Sequence, residues 1–182
     1  MLQVTSIMVV IIAMLCVVWW GKRKLSPLSY SCMLWIMLIM YVAGALYCTL
    51  FSRVPGSGLV VELRPFMSFV RLFDKPGELA GEVTGFFAWF MRSAPSGSGI
   101  ILNILLFVPL GFMLPVRCRK LTGRQVILIG CIFSVAIELI QYVLEMGYCE
   151  TDDVIHNTLG TVMGVWMWHV QCERINRKES SK

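Results

Sequence analysis

Charge is what this sequence has least of. Asp, Glu, Lys and Arg make up 15% of its 182 residues and hydrophobic side chains 57%, where a soluble domain carries about 25% charged residues. The few charges stand in short clusters between long uncharged runs, which excludes an ordinary water-soluble domain and points to an integral membrane protein. Cysteine is present but sets no framework. Cys16, Cys32, Cys48 and Cys131 fall within apolar runs, Cys118 and Cys172 lie beside basic clusters, and Cys149 stands apart. That spacing fits neither a disulfide scaffold nor a metal site, so these thiols read as small apolar packing residues. The sequence also lacks internal repeats, a known metal-binding loop and a nucleophile in any recognised catalytic motif.

What it has is length in its apolar runs. A helix crosses a bilayer in roughly 20 mostly apolar residues and satisfies its own backbone hydrogen bonds there. Five stretches qualify, at about 2–20, 30–50, 100–116, 125–144 and 152–169. The first has no positive charge before it and no small-residue cleavage site after it, so it reads as a span rather than a signal peptide.

Orientation follows from Lys and Arg in the short loops. Lys22, Arg23 and Lys24, then Arg117, Arg119, Lys120 and Arg124, then Arg174, Arg177, Lys178 and Lys182 belong on one side, the cytoplasm. The Glu145 to Thr151 loop and the long Ser52 to Ser98 connection lie outside. The N-terminus is therefore out and the C-terminus in, and the net charge of +5 reflects topology, with no nucleic-acid partner. Within the long connection, Leu79, Val83, Phe86, Phe87 and Phe90 recur at helical spacing, which predicts an amphipathic helix over Glu78 to Met91 in the outer interface, with a re-entrant segment as the alternative. The expected fold is a single all-α domain over 1–182.

Ionisable side chains within spans are costly and usually face a bundle interior or a wet cavity. Glu138 sits roughly 9 Å below the outer end of span four, and Gln141 about 4 to 5 Å below it. His156 and Asn157 lie about 6 to 8 Å into span five, and Asn103 about 5 Å into span three. Three helices thus place polar groups in the same outer third of the bilayer. Asp153 and Asn157 share one helix face, as do Glu138 and Gln141. Where these faces meet, a polar site opens outward, with Arg53 or Arg64 available as a counter-charge.

Plainer readings stand beside this one. Asp152 and Asp153 occupy a first helical turn, where carboxylates are favoured. Asn103 and Asn157 can serve as interhelical hydrogen-bond glue, and His156 as an interface residue. An unpartnered Glu138 would cost on the order of 2 to 3 kcal/mol at such depth. Pro109 with Gly111 predicts a kink or a close helix contact, and Gly160 with Gly164 forms a small-xxx-small pair that admits a neighbouring helix. No metal ligand set and no cofactor follows from these residues.

Five motifs in order carry a resemblance: "LYCTLFSR" (Leu46 to Arg53), "ELRPF" (Glu62 to Phe66), "NILLFVPLGFMLP" (Asn103 to Pro115), "IELIQ" (Ile137 to Gln141) and "DDVIHNTLGTVMG" (Asp152 to Gly164). On them the chain resembles VanZ-like membrane proteins over most of its length after the first span. The resemblance singles out Arg53, Pro65, Phe66, Asn103, Pro109, Gly111, Glu138, Gln141, Asp153, Asn157 and Gly160. Family members often carry asparagine where this chain has Glu62, and an arginine and aspartate where it has "GYCE".

The resemblance implies a bacterial plasma-membrane protein that lowers susceptibility to teicoplanin-type glycopeptides. On that reading Asn103, Glu138, Gln141, Asp153, Asn157 and Arg53 line the site. Pro65, Phe66, Pro109, Gly111, Gly160 and Gly164 are structural. Partners are membrane lipids and a lipid-linked cell-wall precursor or lipoglycopeptide. The alternatives are a membrane enzyme modifying such a precursor, with Glu138 or Asp153 as general base, and a scaffold whose polar residues fix helix register.

Overall fold

The computed structural model describes residues 13, 16–18, 20–51, 54–56, 58–67, 70 and 96–179. Most of the expected first span, the expected interfacial helix at Glu78 to Met91, and Arg53 lie outside the described residues.

Helix α1 runs Pro27–Leu46 and continues as a π-turn, Tyr47–Phe51. Ser26 caps it by accepting the Ser29 N–H, and Pro27 fills the first helical position, where its missing N–H costs nothing. Helix α2 runs Ser96–Arg117, unbroken through Pro109 and Pro115. The Tyr41 hydroxyl donates to the Leu106 carbonyl at 2.7 Å, binding α1 to α2 just ahead of Pro109. Helix α3, Gly123–Val143, starts on a reciprocal cap between Thr122 and Gln125. Helix α4, Thr151–Glu179, opens with two aspartates in its first turn.

Among the described residues, three helical stretches, Pro27–Leu50, Gly99–Arg117 and Gly123–Val143, are long and apolar enough to cross a membrane. Helix α4 is long enough, but Asp152, Asp153, His156 and Asn157 crowd its start and charged residues its end, so it is not among them.

Glycine sets the tightest packing. A methyl at Gly160 would collide with the Ile104 carbonyl, and one at Gly164 with the Val108 carbonyl. Both contacts advance by four residues together, so α2 and α4 run parallel with their backbones touching. Gly111 meets the Thr161 carbonyl in the same seam. Helix α3 runs the other way: its Gly130 meets the Thr161 side chain, and its Ser134 meets Asn157. Phe107, Met113 and Ile137 are buried where α2 and α3 pack with Leu34 and Leu38 of α1. Leu128, Ile132 and Leu139 of α3 and Ile36, Ile39 and Met40 of α1 point outward.

The all-helical expectation needs one correction. Residues Gly58–Glu62 form strand β1 and Met146–Glu150 form strand β2, paired in parallel from Gly58↔Met146 to Glu62↔Glu150. The expected loop between α3 and α4 is therefore a strand. Two five-residue segments 88 positions apart give no local periodicity from which to read the pairing.

Candidate functional site

Helical spacing lines Ser134, Glu138 and Gln141 along one face of α3, and Asp153, Asn157 and Thr161 along one face of α4. The opposed directions of α3 and α4 bring these faces together. Asn157 donates from Nδ2 to Ser134 Oγ at 2.8 Å, and the Thr161 hydroxyl donates to the Asn157 carbonyl at 3.1 Å. Ser134, four residues before Glu138, is the partner that sequence reasoning passed over; its place on the Glu138 face was the available signal.

Glu138 is 6% exposed. Its carboxylate accepts the backbone N–H of Glu150 at 3.1 Å and hydrogen-bonds the Cys149 thiol. Arg64 does not serve as its counter-charge: that guanidinium is engaged with Glu62 through two contacts of 2.9 Å, exposed to solvent. Its pKa is raised, first by the hydrogen bond to Glu62 and then by the charge of that carboxylate.

Cys149, read from sequence as a packing residue, belongs to the polar cluster. Burial pushes its thiol up from the ordinary value, Glu138 adds to this through charge and hydrogen bond, and the charges of Asp153 and Glu150 push in the same direction. One thiol thus senses carboxylates from α3, α4 and β2. Asp153 in turn accepts from Asn103 Nδ2 at 2.7 Å, tying α4 to α2.

Asp152, buried to 2% exposure, takes a role that its place in a first turn does not announce. Its carboxylate accepts the Phe66 backbone N–H at 2.5 Å, and the adjacent Thr151 hydroxyl donates to the Leu63 carbonyl at 3.2 Å. Together they fasten the turn after β1, where Phe66 is exposed and held at a φ of 65°. Pro65 is exposed in the same turn. His156 is buried and feels the charges of Asp152 and Glu150.

Gln141, 1% exposed, donates from Nε2 to the Thr49 carbonyl in the π-turn at 2.8 Å. Its Oε1, and the Oδ1 of Asn157, are buried with no hydrogen-bond donor among the described residues. No group of three His, Cys, Asp or Glu among the described residues is arranged to hold a metal ion.

The family model described as VanZ/LLP1 matches residues 28–171. The chain belongs to the VanZ/LLP1 family. It is 26% identical over 80 residues to Protein VanZ of Enterococcus faecium, a match covering 44% of this chain and 50% of that protein. The chain thus spans half the length of that relative. No solved structure matches. The VanZ/LLP1 match takes in α1, α2, α3, both strands and the polar part of α4, so each polar residue of the cluster falls inside it. The apolar run before residue 28 falls outside it.

Proposed function

We infer that this VanZ/LLP1 protein is a multi-pass protein of the bacterial plasma membrane that lowers susceptibility to teicoplanin-type glycopeptides. It does so by engaging a lipid-linked cell-wall precursor or a lipid-tailed glycopeptide at an outward-opening polar site. Five spans run N-terminus out and C-terminus in. The fifth is the start of α4: residues 152–169 extend about 27 Å as helix, close to the roughly 30 Å of a hydrocarbon core. Its polar first turns then sit at the outer headgroups, level with Glu138 and Asn103.

One observation carries this reading. Gln141 Oε1 and Asn157 Oδ1 are buried acceptors with no donor among the described residues, on the faces that also carry Glu138 and Asp153. A buried acceptor left unpaired costs about 1 to 3 kcal/mol, which the N–H or O–H groups of a bound ligand recover. The carboxylates give the same site a preference for hydrogen-bond donors and positive charge. The likeness to Protein VanZ supports the resistance role.

The test is Glu138→Gln and Asp153→Asn, expressed in a susceptible bacterial host with protein level followed by immunoblot. At equal abundance each is expected to lose at least fourfold of the teicoplanin protection given by the wild type. Full protection from both variants at full abundance removes these residues from the mechanism.

A further inference from the structure

The basic end of the bundle holds a second arrangement, unconnected with the polar cluster. Arg117 is the last residue of α2, and its guanidinium lies over the Trp35 ring, 4.5 Å from the ring centroid. Trp35 stands eight residues after Pro27, about 12 Å along α1, inside the Pro27–Leu50 stretch that is apolar enough to cross a membrane. A permanently charged group is therefore drawn along the side of the bundle to a level where lipid begins.

No acidic side chain among the described residues forms an ion pair with it there. Arg117 Nε is buried without an acceptor among the described residues. The first turns of α1 and α3 contain no acid. Glu173 is level with Arg117 on α4 by the parallel register, yet it is exposed and forms no ion pair with Arg117. The surroundings add positive charge: Arg119, Lys120 and Arg124 are exposed beyond the end of α2, and the charge of Arg119 reaches Tyr30 on α1. Trp35 is 42% exposed, and Ile36, Ile39 and Met40 continue an outward apolar surface along α1.

We propose that Arg117 and Trp35 form a binding site for the phosphate of an anionic phospholipid. The Nη1–Nη2 edge of a guanidinium presents two parallel N–H donors that fit two phosphate oxygens. Stacking on Trp35 fixes the plane of that fork. Arg119 and Lys120 supply the further charge that favours a headgroup of net negative charge, and the apolar surface beside Trp35 takes the acyl chains. That surface selects a lipid over soluble phosphate.

The full chain, purified in a non-ionic detergent, is examined by native mass spectrometry with phosphatidylglycerol, phosphatidylcholine or inorganic phosphate. The wild type is expected to retain phosphatidylglycerol at least fivefold better than Arg117→Gln and better than it retains the other two probes. Arg124→Gln, which removes a charge from the same end, keeps wild-type retention. Arg117→Lys keeps the charge but not the fork and is expected to fall at least threefold, which supplies the comparison if Arg117→Gln does not fold. Equal retention by the wild type and the Arg117 variants overturns the site. So does an equal loss in Arg124→Gln, or equal occupancy by phosphatidylcholine or inorganic phosphate.

Discussion

Asn103 and Asp153 meet across two helices that run the same way: the Asn103 amide nitrogen lies 2.7 Å from the Asp153 carboxylate. Asn103→Ala removes a donor from a half-buried acid and is expected to cost about 1 to 3 kcal/mol, read as thermal unfolding in detergent. Asn103→Asp sets two carboxylates against each other, so it is less stable still near neutral pH. It recovers as the pH falls and one of the pair takes up a proton. An Asn103→Asp protein as stable as the wild type at neutral pH would show that the contact carries no weight.

The glycine seam predicts a contrast between two helical sites. Gly160→Ala drives a methyl into the Ile104 carbonyl, an overpacking expected to cost about 1 to 3 kcal/mol. At Gly44, in α1, an added methyl meets nothing within 4 Å, so Gly44→Ala is neutral or stabilising by up to about 1 kcal/mol. Comparing unfolding midpoints of the two variants decides it, and equal effects would refute backbone contact between α2 and α4.

Cys149 gives a pH prediction. The fold holds the thiol proton more tightly than the unfolded chain does, through burial first and then the neighbouring carboxylates. Its contribution to stability is therefore intact below the ordinary thiol range and is lost as the pH rises from there through the raised value of the folded state. In a variant keeping Cys149 as its single cysteine, alkylation by iodoacetamide is expected to stay slow until the pH passes that range. Glu138→Gln removes a hydrogen-bonded charge and shifts the rate profile to lower pH; an unmoved profile would separate Cys149 from Glu138.

Asp152 and Phe66 predict a local rather than a global effect. Loss of the carboxylate in Asp152→Ala frees the Phe66 N–H, so hydrogen exchange at that amide accelerates at least tenfold. Phe66→Gly relieves a left-handed backbone and gains about 1 kcal/mol while exchange at position 66 stays slow. Unchanged exchange in Asp152→Ala counts against the tether.

Within helices the sequence was informative, because spacing alone puts Glu138 with Gln141 and Asp153 with Asn157 on shared faces. Gly160 and Gly164 likewise announce a close approach, though only the folded structure shows Ile104 and Val108 as what is approached. Partners distant in sequence stayed hidden. Nothing near Asp152 points to Phe66, 86 residues away, and nothing near Glu138 points to the backbone N–H of Glu150 as a partner. Such bonds depend on the β1–β2 register, and parallel pairing of short strands leaves no trace in local composition. Cys149 was misread for the same reason: a thiol's neighbours, not its position in a loop, decide its chemistry.

Glu150 belongs at once to the ladder with residues 58–62 and to the carboxylate of Glu138. A slip of the ribbon by one step would turn every side chain of β2 to the opposite face and withdraw that N–H from the acid it serves. Strand β1 is thereby clamped in step with α3, and a pull on either would be felt by the other.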